Sequence, residues 1–121
     1  MSLARVTEIL ETINPVSVSP TDYTTTNDYA SIGKLDSSGK TRVVYTIYNA
    51  HAANSIIWKV VASIDDVIYV EVKAAATLAA VTTASWVASA VETSYRYFKI
   101  QVKSNAAETP GTAQVRGYAK I

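Results

Sequence analysis

A chain of 121 residues holds one hydrophobic core and leaves no material for a second. Eleven Lys and Arg against ten Asp and Glu give a net charge of +1, which excludes the strong field that draws a protein to nucleic acid or anionic lipid. The chain has no cysteine, so disulfides, thiolate zinc sites and thiol nucleophiles are excluded together.

Charged residues make up 17% and apolar residues 49%, against roughly 25% charged in an ordinary soluble domain. Such a surface suits a subunit that completes its burial by assembly. Fifteen Val and ten Ile against four Leu, with 14 Thr and eight Tyr, are the chemistry of strands: β-branched and aromatic side chains fit a pleated, half-buried surface.

At the start of the chain, Arg5, Glu8 and Glu11 break any apolar run, and no export signal is expected. Leu3, Val6, Leu10 and Ile13 recur at spacings of three and four and predict a short helix ending before Pro15. The β-branched Val6, Thr7, Ile9, Thr12 and Ile13 make an extended arm the competing reading. Asn14 to Asn27 reads as a peripheral extended segment with turns. Residues 1–26 are therefore an N-terminal arm, helical or extended, and 27–121 a single domain.

The remainder reads as strands. Asp36-Ser-Ser-Gly-Lys40 is a turn opening Thr41 to Tyr48, where Val43, Tyr45 and Ile47 share one face. After a loop from Asn49 to Asn54, Ile56 to Ile64 sends Ile56, Trp58, Val60, Ala62 and Ile64 to one side and Lys59 and Ser63 to the other. Asp65-Asp66 is expected to turn tightly into Val67 to Lys73, with Ile68, Val70 and Val72 inward and Tyr69, Glu71 and Lys73 outward. Ala74 to Val91 is uncharged, but its Ala, Thr and Ser content predicts a strand-loop-strand segment rather than a membrane span, anchored by Val81 and Trp86. Tyr95 to Lys103 alternates Phe98, Ile100 and Val102 inward with Tyr97, Lys99, Gln101 and Lys103 outward. Thr112 to Ile121 alternates Ala113, Val115, Gly117, Ala119 and Ile121 with Gln114, Arg116, Tyr118 and Lys120. Roughly six to eight such strands separated by turns predict an all-β fold, an antiparallel β-sandwich or jelly roll.

No catalytic signature stands out. His51 is the single imidazole and reads as an exposed or packed loop residue rather than a base or ligand. Asp65 and Asp66 are turn formers first and a carboxylate or calcium pair second. Gly33, Gly39, Gly111 and Gly117 match neither a P-loop nor a dinucleotide fingerprint, and no cofactor or metal is expected. The candidate interaction surface is the outward row of the later strands, Tyr97 and Lys99 with Arg116 and Tyr118 on the expected neighbouring strand, joined by Tyr69. Aromatics interleaved with cations can stack on sugar rings or pack against a partner subunit.

Ser55 to Val72, Tyr95 to Lys103 and Pro110 to Lys120 resemble small virion proteins of tailed bacteriophages over residues 27–121. The pattern is an Asn-x-x-x-Asn-Ser-type loop, a strand ending in Ala-Ser, an Asp turn, a strand starting near an aromatic and a Tyr-Arg-Tyr strand. Asn49 to Ser55 and Ala62 to Tyr69 follow that order. The resemblance implies a non-enzymatic structural protein, a capsid decoration or cement protein on the outside of the shell, made in the bacterial cytoplasm. Its partners would be the major capsid protein or other virion proteins, and further copies of itself, with a trimer preferred. The alternative is a carbohydrate-binding module of a head fibre, tail or baseplate that recognises host-surface glycan.

Overall fold

The computed structural model describes residues 16–18, 20–38 and 40–121. The expected helical face of Leu3, Val6, Leu10 and Ile13 lies outside them. Nine strands follow in chain order: Val16–Val18 (β1), Asp22–Thr24 (β2), Ala30–Asp36 (β3), Arg42–Asn49 (β4), Ile56–Ser63 (β5), Val70–Leu78 (β6), Thr82–Val87 (β7), Tyr97–Ser104 (β8) and Thr112–Lys120 (β9). A 3-10 turn, Glu92–Ser94, sits between β7 and β8.

All pairings are antiparallel, and one set of them is nested. β1 and β2 pair with β9, β3 with β8, β4 with β7 and β5 with β6, so the chain is one long hairpin wound upon itself. Contacts of β4 with β9 and of β5 with β8 then close two sheets. One runs β1-β9-β4-β7 with β2 also on β9, and the other β3-β8-β5-β6. The fold is an antiparallel β-sandwich, as the alternation predicted. Val16–Val18 and Asp22–Thr24 already belong to its edge, ahead of the boundary expected at residue 27.

Period-two alternation places the core. Val43, Tyr45 and Ile47 of β4 face Phe98, Ile100 and Val102 of β8, all buried, with Ile56, Trp58, Val60 and Ala62 of β5 and Ala113, Val115 and Ala119 of β9. Tyr45 is the one large polar side chain at the centre. Its hydroxyl reaches from one sheet to carbonyls of the other, 2.6 Å from that of Gly33 and 3.0 Å from that of Phe98, and burial pushes its phenol far above its ordinary value. Two glycines make room. A Cβ at Gly117 would stand 2.7 Å from the Tyr45 ring, and one at Gly33 2.7 Å from Val115 Cγ1. Gly33 also has φ +66° and carries the bulge between Ile32 and Leu35 that breaks the register of β3.

One end of the sandwich is held by side chains bonded to backbone. Buried Asn49 donates through Nδ2 to the carbonyls of Asn54 (2.8 Å) and Leu78 (3.2 Å), and its Oδ1 accepts the His51 amide. Thr25 Oγ1 accepts the Gly111 amide and lies 2.9 Å from Ser104 Oγ. His51 Nδ1 accepts the Ala53 and Asn54 amides, so the imidazole shapes its own loop.

Three inward assignments are corrected. Ile64 and Ile68 are each 71% exposed, because residues 64–69 form a loop and β6 begins only at Val70. Val70 itself is 42% exposed at the edge of its sheet. Val81, expected as an anchor, is a turn residue, 58% exposed with φ +54°; Trp86 packs inward, its ring 6.1 Å from that of Phe98. A β-branched residue at such a φ is strained. Val81→Gly is expected to raise stability by about 1 kcal/mol, read as a higher urea midpoint at unchanged slope.

Candidate interaction surface

The outer face of the β3-β8-β5-β6 sheet is built on β8, whose outward residues Tyr97, Lys99, Gln101 and Lys103 stand in register with Asp36 and Ser31 of β3 and with Ser63, Val61, Lys59 and Ile57 of β5. Aromatic rings and cations alternate across it. Lys99 Nζ lies 3.9 Å from the centre of the Tyr69 ring. Lys34 Nζ and the Arg96 guanidinium lie 5.4 and 5.0 Å from that of Tyr97. Lys59 and Lys103 converge on Tyr29 at 4.4 and 4.8 Å. The rings supply the quadrupole that attracts the ammonium and guanidinium heads, and Lys34 is also ion-paired with Asp66, Lys59 with Glu71 and Arg96 with Asp36.

The loop from Ile64 to Tyr69 folds back onto this face and is rigidly tied. Asp65 Oδ1 accepts the Ser63 hydroxyl (2.9 Å) and the amides of Val67 (2.9 Å) and Ile68 (3.1 Å). Ser63 Oγ in turn accepts the Asp65 and Asp66 amides. Asp66, at φ +63°, pairs with Lys34 and accepts the Tyr69 hydroxyl. Nearby, Arg96 holds Asp36 through two nitrogens at 3.0 and 3.1 Å. The tip so held presents Ile64, Val67 and Ile68, 71%, 79% and 71% exposed.

These bonds favour the ionised carboxylates. The Val67 and Ile68 amides hold Asp65 below the usual carboxylate range, the Lys34 and Tyr69 hydrogen bonds do so for Asp66, and the Arg96 fork does so for Asp36. Burial first, then the bond to Asp66, pushes the Tyr69 phenol up. A depressed folded pKa means that the contribution to stability is complete above the unfolded value, about 3.9 for Asp, and is lost as pH falls through the folded value. Amide exchange at Val67 and Ile68 is therefore expected to accelerate, relative to the β8 core, as pH is lowered below about 4; unchanged relative protection there would contradict it.

Of the residues singled out in the sequence, Tyr69, Tyr97 and Lys99 come together here. Arg116 and Tyr118 do not. β9 lies in the other sheet, so these two stand on the opposite outer face, beside Thr46 and Val44 of β4. Lys103, expected outward on the same strand, joins them over Tyr29, while Lys34, Arg96, Tyr29 and Lys59 belong to the surface but were not singled out. Lys34 sits on a bulge that hides β3 from any period-two search, and the others become visible only once β3, β5 and β8 are known to be neighbours.

Asp65 and Asp66 spend their oxygens on the loop. Among the described residues no group of three or more His, Asp or Glu could hold a metal. A depression of about 90 Å³ between Val18, Tyr23, Ile32 and Val115 is small against the several hundred Å³ of ligand sites. Among the described residues no helix is long and apolar enough to cross a membrane, and the uncharged stretch 74–91 forms β7 and most of β6.

No family model matches the chain, and no curated protein matches it. Among solved structures, the PBSX exported protein XepA superposes with a TM-score of 0.64 at 14% identity, over 87% of this chain; the chain spans 37% of XepA. PirA gives 0.58 at 13% identity, covering 81% of this chain and 92% of its own. The SPBc2 prophage-derived protein YomS gives 0.51 at 11% identity, covering 88% and 94%. At these identities the likeness is one of fold.

Proposed function

We propose that the chain is a non-enzymatic structural protein of a bacteriophage particle, a decoration protein that binds the outer surface of the capsid and stabilises it. The observation that carries this reading is the loop between β5 and β6: three large aliphatic side chains held out to solvent by a carboxylate network that fixes their positions in advance. Monomeric soluble proteins seldom present such a tip unless a partner covers it, and preorganisation lowers the entropic cost of docking. The nested pairing of β1 and β2 with β9, β3 with β8, β4 with β7 and β5 with β6 is the winding of a jelly roll, an architecture used by viral capsid domains. The prophage origin of YomS and the PBSX origin of XepA support the same direction. The partner is the major capsid protein or another virion protein. Tyr69, Tyr97 and Lys99 form the polar flank of the contact, and the apolar tip forms its centre.

A second reading is favoured by one feature. The Tyr97 and Tyr29 rings lie on an open face among Gln101, Ser31 and several cations, which would suit an anionic or hydroxyl-rich glycan of the host surface. Co-sedimentation with undecorated capsids separates the two. Saturable binding to the shell is the expected result. Protein left in the supernatant with capsids but retained on host cell-wall glycan overturns decoration in favour of glycan recognition.

A further inference from the structure

A sandwich of two open sheets leaves four edges, and each unpaired edge is a template for another strand. Three of the four are blunted. β1 and β2 are three residues each and interrupted. β3 is bulged at Gly33, with Lys34 beside the bulge. β6 shifts register twice against β5, between Trp58 and Val60 and again between Val60 and Val61. β7 differs. Its six residues, Thr-Thr-Ala-Ser-Trp-Val, pair with β4 from Asn49↔Thr82 to Val44↔Val87 without a break, and among the described residues its other side has no neighbour in the sheet. No charge and no proline occur anywhere from Ala74 to Val91. The edge thus lacks the lysine, proline or bulge that normally discourages pairing.

We propose that two copies of this chain join through β7, antiparallel strand to strand, so that the β1-β9-β4-β7 sheet continues across a two-fold axis. The strand is self-complementary. With Ser85 on the axis, Val87 of each copy faces Thr83 of the other on the outer side, and Trp86 stands beside Ala84 on the inner side, a large residue against a small one. Any register is free of like-charge opposition, since the strand carries no charge. β6, the edge of the other sheet on the same flank, presents Ala74, Ala75 and Ala76, all exposed, so nothing larger than a methyl group obstructs the approach there. A two-fold contact of this kind closes and consumes both edges, where a head-to-tail contact would leave one open.

The absence of cysteine makes the test direct. Ser85→Cys places one thiol per chain at the axis, with Cα atoms at the separation of directly opposed residues, about 4.5–5.5 Å, inside the range a disulfide spans. Under mild oxidation this variant is expected to form a covalent dimer far faster than a Ser31→Cys control on β3. Sedimentation of the unmodified protein is expected to show a concentration-dependent dimer, and Thr83→Lys to raise its dissociation constant at least about tenfold by setting an edge lysine opposite Val87 of the other copy while circular dichroism stays unchanged. A monomer at every concentration, a trimer, a dimer indifferent to Thr83→Lys, or equal cross-linking by the two cysteine variants each overturns the proposal. It stands apart from capsid binding, which the β5–β6 loop mediates and which Thr83→Lys leaves in place.

Discussion

Tyr45→Ala is expected to unfold the protein or bring it close to unfolding. Truncating a fully buried aromatic costs about 3–5 kcal/mol, against a total stability of about 5–15 kcal/mol for a domain. The cost here lies at the upper end for a geometric reason. The ring lies against the backbone of Gly117, where a Cβ would stand 2.7 Å from it, and a strand backbone cannot relax into the space as a side chain can. Removing the hydroxyl alone is a separate, smaller change. Tyr45→Phe keeps the ring but takes away the inter-sheet bond to Gly33 and Phe98, and is expected to cost about 1–3 kcal/mol, the price of leaving a buried acceptor unsatisfied. Denaturant unfolding of the two variants side by side separates packing from hydrogen bonding. A Tyr45→Phe variant as stable as the parent would show that the hydroxyl contributes nothing to holding the sheets together.

The parts of this fold that were legible are those written in single strands. β4, β8 and β9 alternate without interruption, and their buried sets, from Val43 and Tyr45 to Val115 and Ala119, coincide with the expected ones except at Ile121, which lies past the end of β9 and is 47% exposed. Two kinds of information are not local and were missed. The first is competition for backbone donors. Val67-Ile-Tyr-Val alternates like a strand, yet the Asp65 carboxylate takes the Val67 and Ile68 amides, which removes them from the ladder and delays β6 to Val70. The second is adjacency. β8 and β9 are consecutive in the chain, but the nested winding sends them to different sheets, and the surface expected to hold Tyr97, Lys99, Arg116 and Tyr118 together is split across the molecule. β3 escaped notice for a third reason, since the Gly33 bulge shifts Leu35 out of phase with Ile32 and erases the period.

The double substitution Val67→Ser with Ile68→Ser is expected to abolish capsid capture without weakening the fold. Both side chains are more than two-thirds exposed, and neither is part of the buried core, so stability should move by no more than about 0.5 kcal/mol. The effect on docking is of another order. Full burial of an aliphatic side chain at an interface is worth about 1.5–3 kcal/mol, and each 1.4 kcal/mol or so is tenfold in affinity, so losing two anchors should weaken capsid binding on the order of a hundredfold. The loop itself should survive, because the bonds that shape it come from Asp65, Asp66 and Ser63 and take only backbone groups from positions 67 and 68. That separation makes the outcome decisive. Lys99→Ala, which leaves the tip intact and removes only the cation over Tyr69, should change capsid binding far less than the double substitution and make it less sensitive to salt. If the order were reversed, with Lys99 dominant and the apolar tip dispensable, the working surface would be the cationic aromatic face, and an anionic partner would displace the apolar contact as the basis of recognition.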